Sequence, residues 1–323
     1  MKAQTQRGNN LDTLAQPPQV RPTKGSSTQA LTKKARRKYF TQGFVKPLLK
    51  LDSPLHKQYQ RAHNCANAVR VEEGRTRTHY CNSRVCNVCN GIRTAKAMKG
   101  YISHFEGRES VFITLTDVTC GADELRRVML KRVRIWNNIR DYLQRRMGLP
   151  IQGITKRECT FSLRVDRNGL YHPHLHILLM CEGHDLSALA ELIVQEWLKR
   201  NPTANRKAQD YRPTDQNSLN EIFKYTTKQA NREGKTLKVD PEALDVIMKA
   251  LHKTRTFQPF GGLRKVTEEV EEVELIAQEV DVPDGLYVWS SHDWYSIDTG
   301  QALSGYVSPM IHFEVQEPNV LVT

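Results

Sequence analysis

Long apolar runs are missing from this chain of 323 residues. None approaches the ~18–20 apolar residues that a helix needs to cross a membrane, and the N-terminus carries no apolar signal core. That excludes a helical membrane protein and makes the cytoplasm the expected location. A disulfide framework is missing too. The seven cysteines are odd in number, and four of them crowd between residues 65 and 89 instead of being scattered as bridges. Acidic residues are nearly absent at the start: residues 1–50 hold eleven Lys and Arg against one Asp.

The excess of base over acid, 48 against 35, gives a net charge of +13 and a pI near 9.4. Its distribution says more than its size. Residues 51–110 hold ten bases and five acids, residues 111–264 hold twenty-six and seventeen, and from Lys265 onward one base faces twelve acids. A polyanionic partner, nucleic acid in the first instance, therefore belongs to residues 1–264. A hydrolase of small substrates would leave that excess without a use. The chain is also long enough to bury a core without disulfide staples.

Residues 1–50 form a basic arm without apolar period and are expected to be disordered. A cysteine-rich region follows at 51–110. Residues 111–116 read as a buried strand, and the apolar residues between Asp123 and Met147 keep helical spacing. A strand at 154–165, the turn signal Asp166-Arg167-Asn168-Gly169 and a strand from Tyr171 to Met180 predict a β-hairpin. Helices are predicted over Asp185–Arg200 and from about Ser218 to Arg232, with a polar loop from Asn201 to Gln216 between them. This order predicts an α+β fold for residues 111–264, an antiparallel central sheet with helices packed on one face. Residues 265–323, acidic and then aromatic (Tyr287, Trp289, Trp294, Tyr295, Tyr306, Phe313), are expected to form a small, separate β-leaning C-terminal module.

Two clusters have metal-ligand chemistry. Cys65, Cys81, Cys86 and Cys89 are spaced C-x15-C-x4-C-x2-C, which suits tetrahedral zinc, with His63 or His79 as alternatives to Cys65. Arginines around them, Arg84 and Arg93 included, suit phosphate. The second cluster is Tyr171-His172-Pro173-His174-Leu175-His176. On a strand, residues two apart share a face, so His174 and His176 point the same way. Imidazole is the commonest side-chain metal ligand, and Glu158 across the predicted hairpin is a third candidate if the register allows. Downstream, Glu221, Tyr225 and Lys228 share one side of the predicted helix, while Leu219, Ile222 and Phe223 take the other. A tyrosine between a carboxylate and an ammonium has the parts of an activated nucleophile.

Together these motifs resemble the HUH endonucleases, and within them the plasmid rolling-circle replication initiators with an N-terminal cysteine cluster. Cys81-Asn82-Ser83-Arg84-Val85-Cys86-Asn87-Val88-Cys89 is similar to that family's Cys-x-x-Arg-x-Cys-x-x-Cys segment, though Asn87 stands where the family often has Pro. Lys156-Arg157-Glu158-Cys159-Thr160 resembles its Lys- and Glu-bearing strand, and His172 to His176 its metal motif. Glu221 to Lys228 fits Glu-x-x-x-Tyr-x-x-Lys, and Lys253-Thr254-Arg255 with Phe260-Gly261-Gly262 resembles its closing elements. The resemblance spans roughly residues 60–265.

The resemblance implies a reaction. His174 and His176, with Glu158, would hold Mg²⁺ or Mn²⁺ at a scissile phosphate. Tyr225 would attack it, leaving a 5′-phosphotyrosyl link and a free 3′-OH, with Glu221 ending the round and Lys228 offsetting charge. The zinc region and arm would help to hold plasmid origin DNA, double- and single-stranded, with Arg84, Arg93, Lys224 and Arg255 among the contacts. Host helicase, polymerase and single-strand binding protein would be further partners, and a homodimer is compatible with this scheme. A transposase or relaxase of the same chemistry is the nearest alternative. A non-enzymatic zinc regulator would leave the histidine strand without a purpose.

Overall fold

Three strands with stretches buried on both faces build the centre of the molecule. The computed structural model describes residues 26–162, 170–224, 231–233, 236–267, 269–270, 280–308 and 312–315. The first elements are α1 (Ser26–Leu48), α2 (His56–His63), β1 (Ala68–Glu72), β2 (Arg75–Thr78) and α3 (Asn87–Phe105). Next come β3 (Val111–Thr116), α4 (Leu125–Asp141) with a π-helical extension at Tyr142–Arg146, β4 (Gln152–Phe161), β5 (Tyr171–Met180) and α5 (Leu186–Arg200). They are followed by β6 (Asp210–Pro213), α6 (Gln216–Phe223), β7 (Asn231–Glu233), β8 (Thr236–Val239), α7 (Pro241–Leu251) and β9 (Phe257–Phe260). The last strands are β10 (Gly285–Ser290), β11 (Asp293–Ser296) and β12 (His312–Val315).

The central sheet runs β6-β3-β5-β4-β9, and every neighbouring pair is antiparallel. Ile113, Leu115, Leu175 and Ile177 face one way and bury Trp136 and Ile139 of α4 with Ile193 and Trp197 of α5. This is the expected α+β layer. The opposite face is covered at one end by α3 and α6, through Tyr101, Ile222 and Phe223 against Phe112, Ile154 and Leu178. Its other end carries the histidines. The hairpin of β4 and β5 forms with Lys156 opposite His176 and Glu158 opposite His174; the turn Asp166–Gly169 lies outside the described residues. The Phe-Gly-Gly element has a steric reason. Gly261 has φ +70°, and a Cβ there would come within 2.1 Å of the Ile151 carbonyl oxygen.

Four expectations need correction. Residues 26–48 are a helix, where a disordered arm was expected; residues 1–25 lie outside the described residues. Its buried stripe is Leu31, Ala35, Lys38, Thr41, Val45 and Leu48, a helical spacing whose two middle members are polar, so no apolar period shows. Lys38 donates to the Cys65 carbonyl at 2.6 Å and to Asn67 Oδ1 at 2.7 Å. Thr41 Oγ1 accepts from the Asn87 backbone N–H at 2.9 Å. Each polar member is thereby satisfied in place.

The C-terminal strands are not separate. β10 pairs antiparallel with β1, giving a sheet ordered β11-β10-β1-β2, and Trp294 donates its indole N–H to the Ala66 carbonyl at 2.6 Å. β12 lies parallel to β8. The predicted helix from 218 to 232 is also shorter. α6 ends at Phe223, Lys224 turns to extended backbone (ψ 108°), and Asn231 already belongs to a strand. The polar loop before it contains β6. Among the described residues no helix is long and apolar enough to cross a membrane.

If α1 is part of the core, Leu48→Ala removes a fully buried side chain and lowers the unfolding free energy by about 2–5 kcal/mol in urea denaturation. A change within about 0.5 kcal/mol, the range of surface substitutions, would show that α1 does not contribute.

Candidate active site and cysteine cluster

Pleat parity assembles the first cluster. Thr114, His176 and Lys156 form one cross-strand row, and Thr116, His174 and Glu158 the next. All six side chains therefore leave the same face of the sheet. One ligand atom from each of Glu158, His174 and His176 falls within a sphere where every pair is within 4.8 Å. The register that would have turned Glu158 away is not the one adopted.

The imidazoles are held in a set orientation. His174 Nδ1 lies 3.2 Å from the His172 carbonyl oxygen, and His176 Nδ1 lies 3.2 Å from Thr114 Oγ1. With each Nδ1 occupied, the Nε2 atoms are the ones left for a metal, the arrangement that outer hydrogen bonds impose on ligating histidines. His176 Nε2 is 3.5 Å from Glu158 Oε2 and 3.3 Å from Glu221 Oε1. Burial and the neighbouring His176 push the His174 pKa down to about 4, so this ring is neutral, with a lone pair to give, at neutral pH. Burial raises the Glu158 carboxyl, but the hydrogen bond with His176 and the charges of Lys156 and His174 outweigh it and hold the group well below the usual carboxylate range. His172 shares the face but bonds Thr116 Oγ1 through Nε2 at 2.7 Å.

The strand that carries these histidines contains a proline, and its environment accounts for that. On the β3 side the ladder breaks between Thr116–His174 and the bridge Cys120–Tyr171, and Pro173 falls in the break. Its missing N–H has no ladder acceptor to lose. Its carbonyl accepts from the buried Arg132, which also bonds the Val118 carbonyl at 2.8 Å.

Lys156 joins the sheet to α6. Its ammonium lies 2.9 Å from Glu158 Oε2 and donates to the Glu221 carbonyl at 2.8 Å. That carbonyl is the acceptor which one more helical residue would use, and the helix stops. Glu221 is half exposed and reaches back over the histidines, while Ile222 and Phe223 are fully buried. Its other oxygen, Oε2, is 3.5 Å from the Arg212 guanidinium. Arg212 is a residue that sequence reasoning missed, because β6 is a four-residue strand inside what reads as a polar loop. Tyr225 and Lys228 lie outside the described residues.

The second cluster gathers all four cysteines. Cys65, Cys81, Cys86 and Cys89 are buried, with every sulfur within 4.8 Å of the others. Cys89 Sγ is 3.7 Å from Cys65 Sγ and 3.6 Å from Cys81 Sγ. Disulfide sulfurs stand ~2.05 Å apart, whereas thiolates ~2.3 Å from a tetrahedral ion stand about 3.8 Å apart. The spacing fits a metal and not a bridge. Backbone N–H groups of Cys81 and Ser83 point at sulfurs of Cys65 and Cys81, at 3.4 and 3.3 Å. Burial opposes charge on Cys86, but hydrogen bonds from the other three thiols outweigh it and hold this thiol well below its ordinary value. Lys34 and Lys38 of α1 stand over the cluster; burial pushes both down to about 8, and the cysteine charges work in the opposite direction. Two ammonium groups would offset the net charge of a divalent ion bound to four thiolates. His63 and His79 are not in this group.

Residues 74–298 match the family described as Replication protein, more than half of the chain. The chain belongs to that family. Its resemblance to the plasmid initiators, drawn from the motifs, agrees with this membership. Two similar relatives are both called Protein rep. The one from Lentilactobacillus hilgardii is 23% identical over 258 residues, covering 71% of this chain and 80% of the relative. The one from Staphylococcus aureus is 28% identical over 171 residues, covering 48% of this chain and 72% of the relative. No solved structure matches. The family match runs through β11, so the strands that complete the cysteine-region sheet fall inside the replication-protein span.

The four DNA-contact candidates of this replication protein have different environments. Lys224 and Arg255 are exposed. Arg84 is half-buried and donates to the Thr254 carbonyl at 2.9 Å and to the Thr256 hydroxyl, tying the cysteine loop to the start of β9. Arg93 needs correction. It is 6% exposed, and its guanidinium donates to the Asn82 and Ser83 carbonyls and to Asn90 Oδ1. It holds the cysteine loop and is not presented to a strand.

The cysteine geometry predicts about one thiolate-bound metal ion per purified chain by elemental analysis. Cys86→Ser should lose it and melt at lower temperature, while Cys181→Ser keeps it. Full metal content in Cys86→Ser would overturn the cluster as a metal site.

Proposed function

We propose that this replication protein starts rolling-circle replication of a plasmid by nicking one strand at the origin through a 5′-phosphotyrosyl intermediate. The observation that carries the reading is the convergence of one ligand atom each from Glu158, His174 and His176 on one sheet face, with Glu221 against His176. The neutral His174 imidazole, the His176 ring beside it and an ionised Glu158 carboxylate are a donor set for Mg²⁺ or Mn²⁺. A divalent ion held there supplies Lewis-acid polarisation of the scissile phosphate. Four thiolates suit structural zinc in the other cluster.

The remaining chemistry belongs to side chains of the chain. Tyr225, assigned from the Glu-x-x-x-Tyr-x-x-Lys motif, loses its phenolic proton and forms the new O–P bond. The 3′ oxygen leaves, takes up a proton and becomes a primer for host polymerase; host helicase and single-strand binding protein would act on the opened strand. Glu221, a half-exposed carboxylate beside His176, would accept the tyrosine proton and later activate water. Lys228 offsets phosphate charge. Exposed Lys224 and Arg255 contact the strand through its phosphates, so affinity falls as salt rises. A purely regulatory DNA-binding protein would have no use for two adjacent histidines, one of them buried, faced by two carboxylates.

The test is a denaturing gel of the protein incubated with labelled single-stranded origin DNA and Mn²⁺. A covalent adduct is expected, lost in Tyr225→Phe; an undiminished adduct in that variant would overturn Tyr225 as nucleophile. His174→Ala should cut nicking by more than ~100-fold, the upper range for losing even an outer-shell partner of a metal ligand. Unchanged nicking in His174→Ala would remove the histidines from the reaction.

A further inference from the structure

Arg212 stands beside the histidines and no motif assigns it a role. It projects from β6 opposite Phe112 of β3, on the same sheet face as His176. Its guanidinium lies 4.7 Å from the Phe112 ring centroid, and that ring is itself stacked on His176 at 5.2 Å. Flat stacking restricts the fork while leaving its edge to hydrogen-bond. One edge meets Asp210 Oδ2 at 2.9 Å. The other reaches Glu221 Oε2 at 3.5 Å, longer than a full-strength hydrogen bond. The side chain remains 40% exposed.

The Glu221 carboxylate spans a particular gap. One oxygen contacts Arg212 Nη2 and the other sits 3.3 Å from His176 Nε2. Two oxygens on one atom, bridging a guanidinium and a metal-ligand nitrogen, are what a phosphodiester would also present. A phosphate entering from the exposed side can take the Arg212 edge that Glu221 holds only weakly. The carboxylate is then released for proton transfer.

We infer that Arg212 is a catalytic residue that grips the scissile phosphodiester of the single strand, exchanging Glu221 for a phosphate oxygen. The inference rests on the nicking function proposed above and adds a contact to it. It also explains the edge strand. β6 contributes few core contacts, yet its pairing with β3 is what sets Arg212 over Phe112. A guanidinium is suited to this place because it stays charged and can bond a phosphate through two parallel N–H groups.

The test uses the Tyr225→Phe chain, which would bind without nicking, and two oligonucleotides spanning the linkage mapped by the covalent adduct. One has the natural phosphodiester at that linkage and the other an uncharged methylphosphonate. With Mn²⁺ present, fluorescence anisotropy should show the natural strand preferred by about tenfold or more, the worth of one charge-assisted hydrogen bond. Adding Arg212→Gln should cut the preference about tenfold, leaving what the metal and Lys228 contribute, and Arg212→Lys should give an intermediate value. In the otherwise wild-type chain, Arg212→Gln should reduce nicking by about 10²–10³-fold, as for other lost transition-state donors. A preference that survives intact in Arg212→Gln overturns the assignment, and Arg212→Lys behaving as Arg212→Gln does not rescue it. If the Gln variant does not fold, a Lys variant with the full preference and normal nicking overturns the need for a guanidinium. Failure to form any adduct in the parent chain fails the nicking function itself, and Arg212 with it. An adduct together with an Arg212-independent preference fails Arg212 alone.

Discussion

The buried ammonium of Lys156 is the interaction on which the candidate active site depends. It is 7% exposed and binds the Glu158 carboxylate on its own strand and the Glu221 carbonyl at the end of α6. A charge taken out of water costs several kcal/mol unless it is paired and hydrogen-bonded, and here both conditions are met by groups from two different elements. The consequence is positional. The same contact that keeps Lys156 in the interior fixes Glu158 beside His176 and halts α6 where its last carboxylate overhangs the histidines. Without a cation at that depth, Glu158 and Glu221 would place two like charges around one imidazole. Lys156 below and Arg212 at the rim separate and offset them.

This balance rests on sheet register. Lys156 and Glu158 share a face with His174 and His176 only because β4 pairs with β5 in one alignment; a slip of one residue would send both to the face occupied by Trp136 and Trp197. That opposite face is dense with buried aromatic and aliphatic side chains, so a slip would bury a lysine and a carboxylate there without partners. Core packing on one side of the sheet thus enforces the polar geometry on the other. Pro173 needs a gap in the ladder and Arg132 fills its carbonyl there, so the start of the histidine strand is held from the packed face as well.

Much of this was legible in the chain itself, and the exceptions have physical causes. His174 and His176 alternate on an apolar strand, and the cysteine spacing announces itself; β3, α4 and α5 follow their apolar periods. Helix α1 was hidden because Lys38 and Thr41 occupy its buried stripe, and their partners, the Cys65 carbonyl and the Asn87 N–H, are distant in sequence. The end of α6 was hidden for a similar reason, since the group that takes the Glu221 carbonyl comes from sixty-five residues upstream. The pairing of β10 with β1 joins segments more than two hundred residues apart, which no local pattern encodes. Arg93 looked like a phosphate contact from composition alone, but a guanidinium has five donors and can equally serve backbone carbonyls of a tight loop. Local periodicity reveals elements; it does not reveal which polar groups are consumed inside the fold.

The cysteine cluster and the Glu158–His174–His176 cluster are not independent modules on a linker. Arg84 leaves the loop between Cys81 and Cys86 and bonds Thr254 and Thr256, and the Arg157 backbone N–H on β4 donates to the Thr256 carbonyl at 2.7 Å. One short path therefore runs from the loop between Cys81 and Cys86 to the strand that carries Glu158. Loss of order at the cysteines would free that loop, remove Arg84 from Thr256 and loosen the edge of the sheet on which the candidate active site stands. The cysteine cluster thereby acts as a buttress for the face that carries the candidate active site as well as a fold element. Its overlying helix, α1, supplies two lysines to that buttress, so the basic N-terminal segment contributes charge to the interior as well as to the surface.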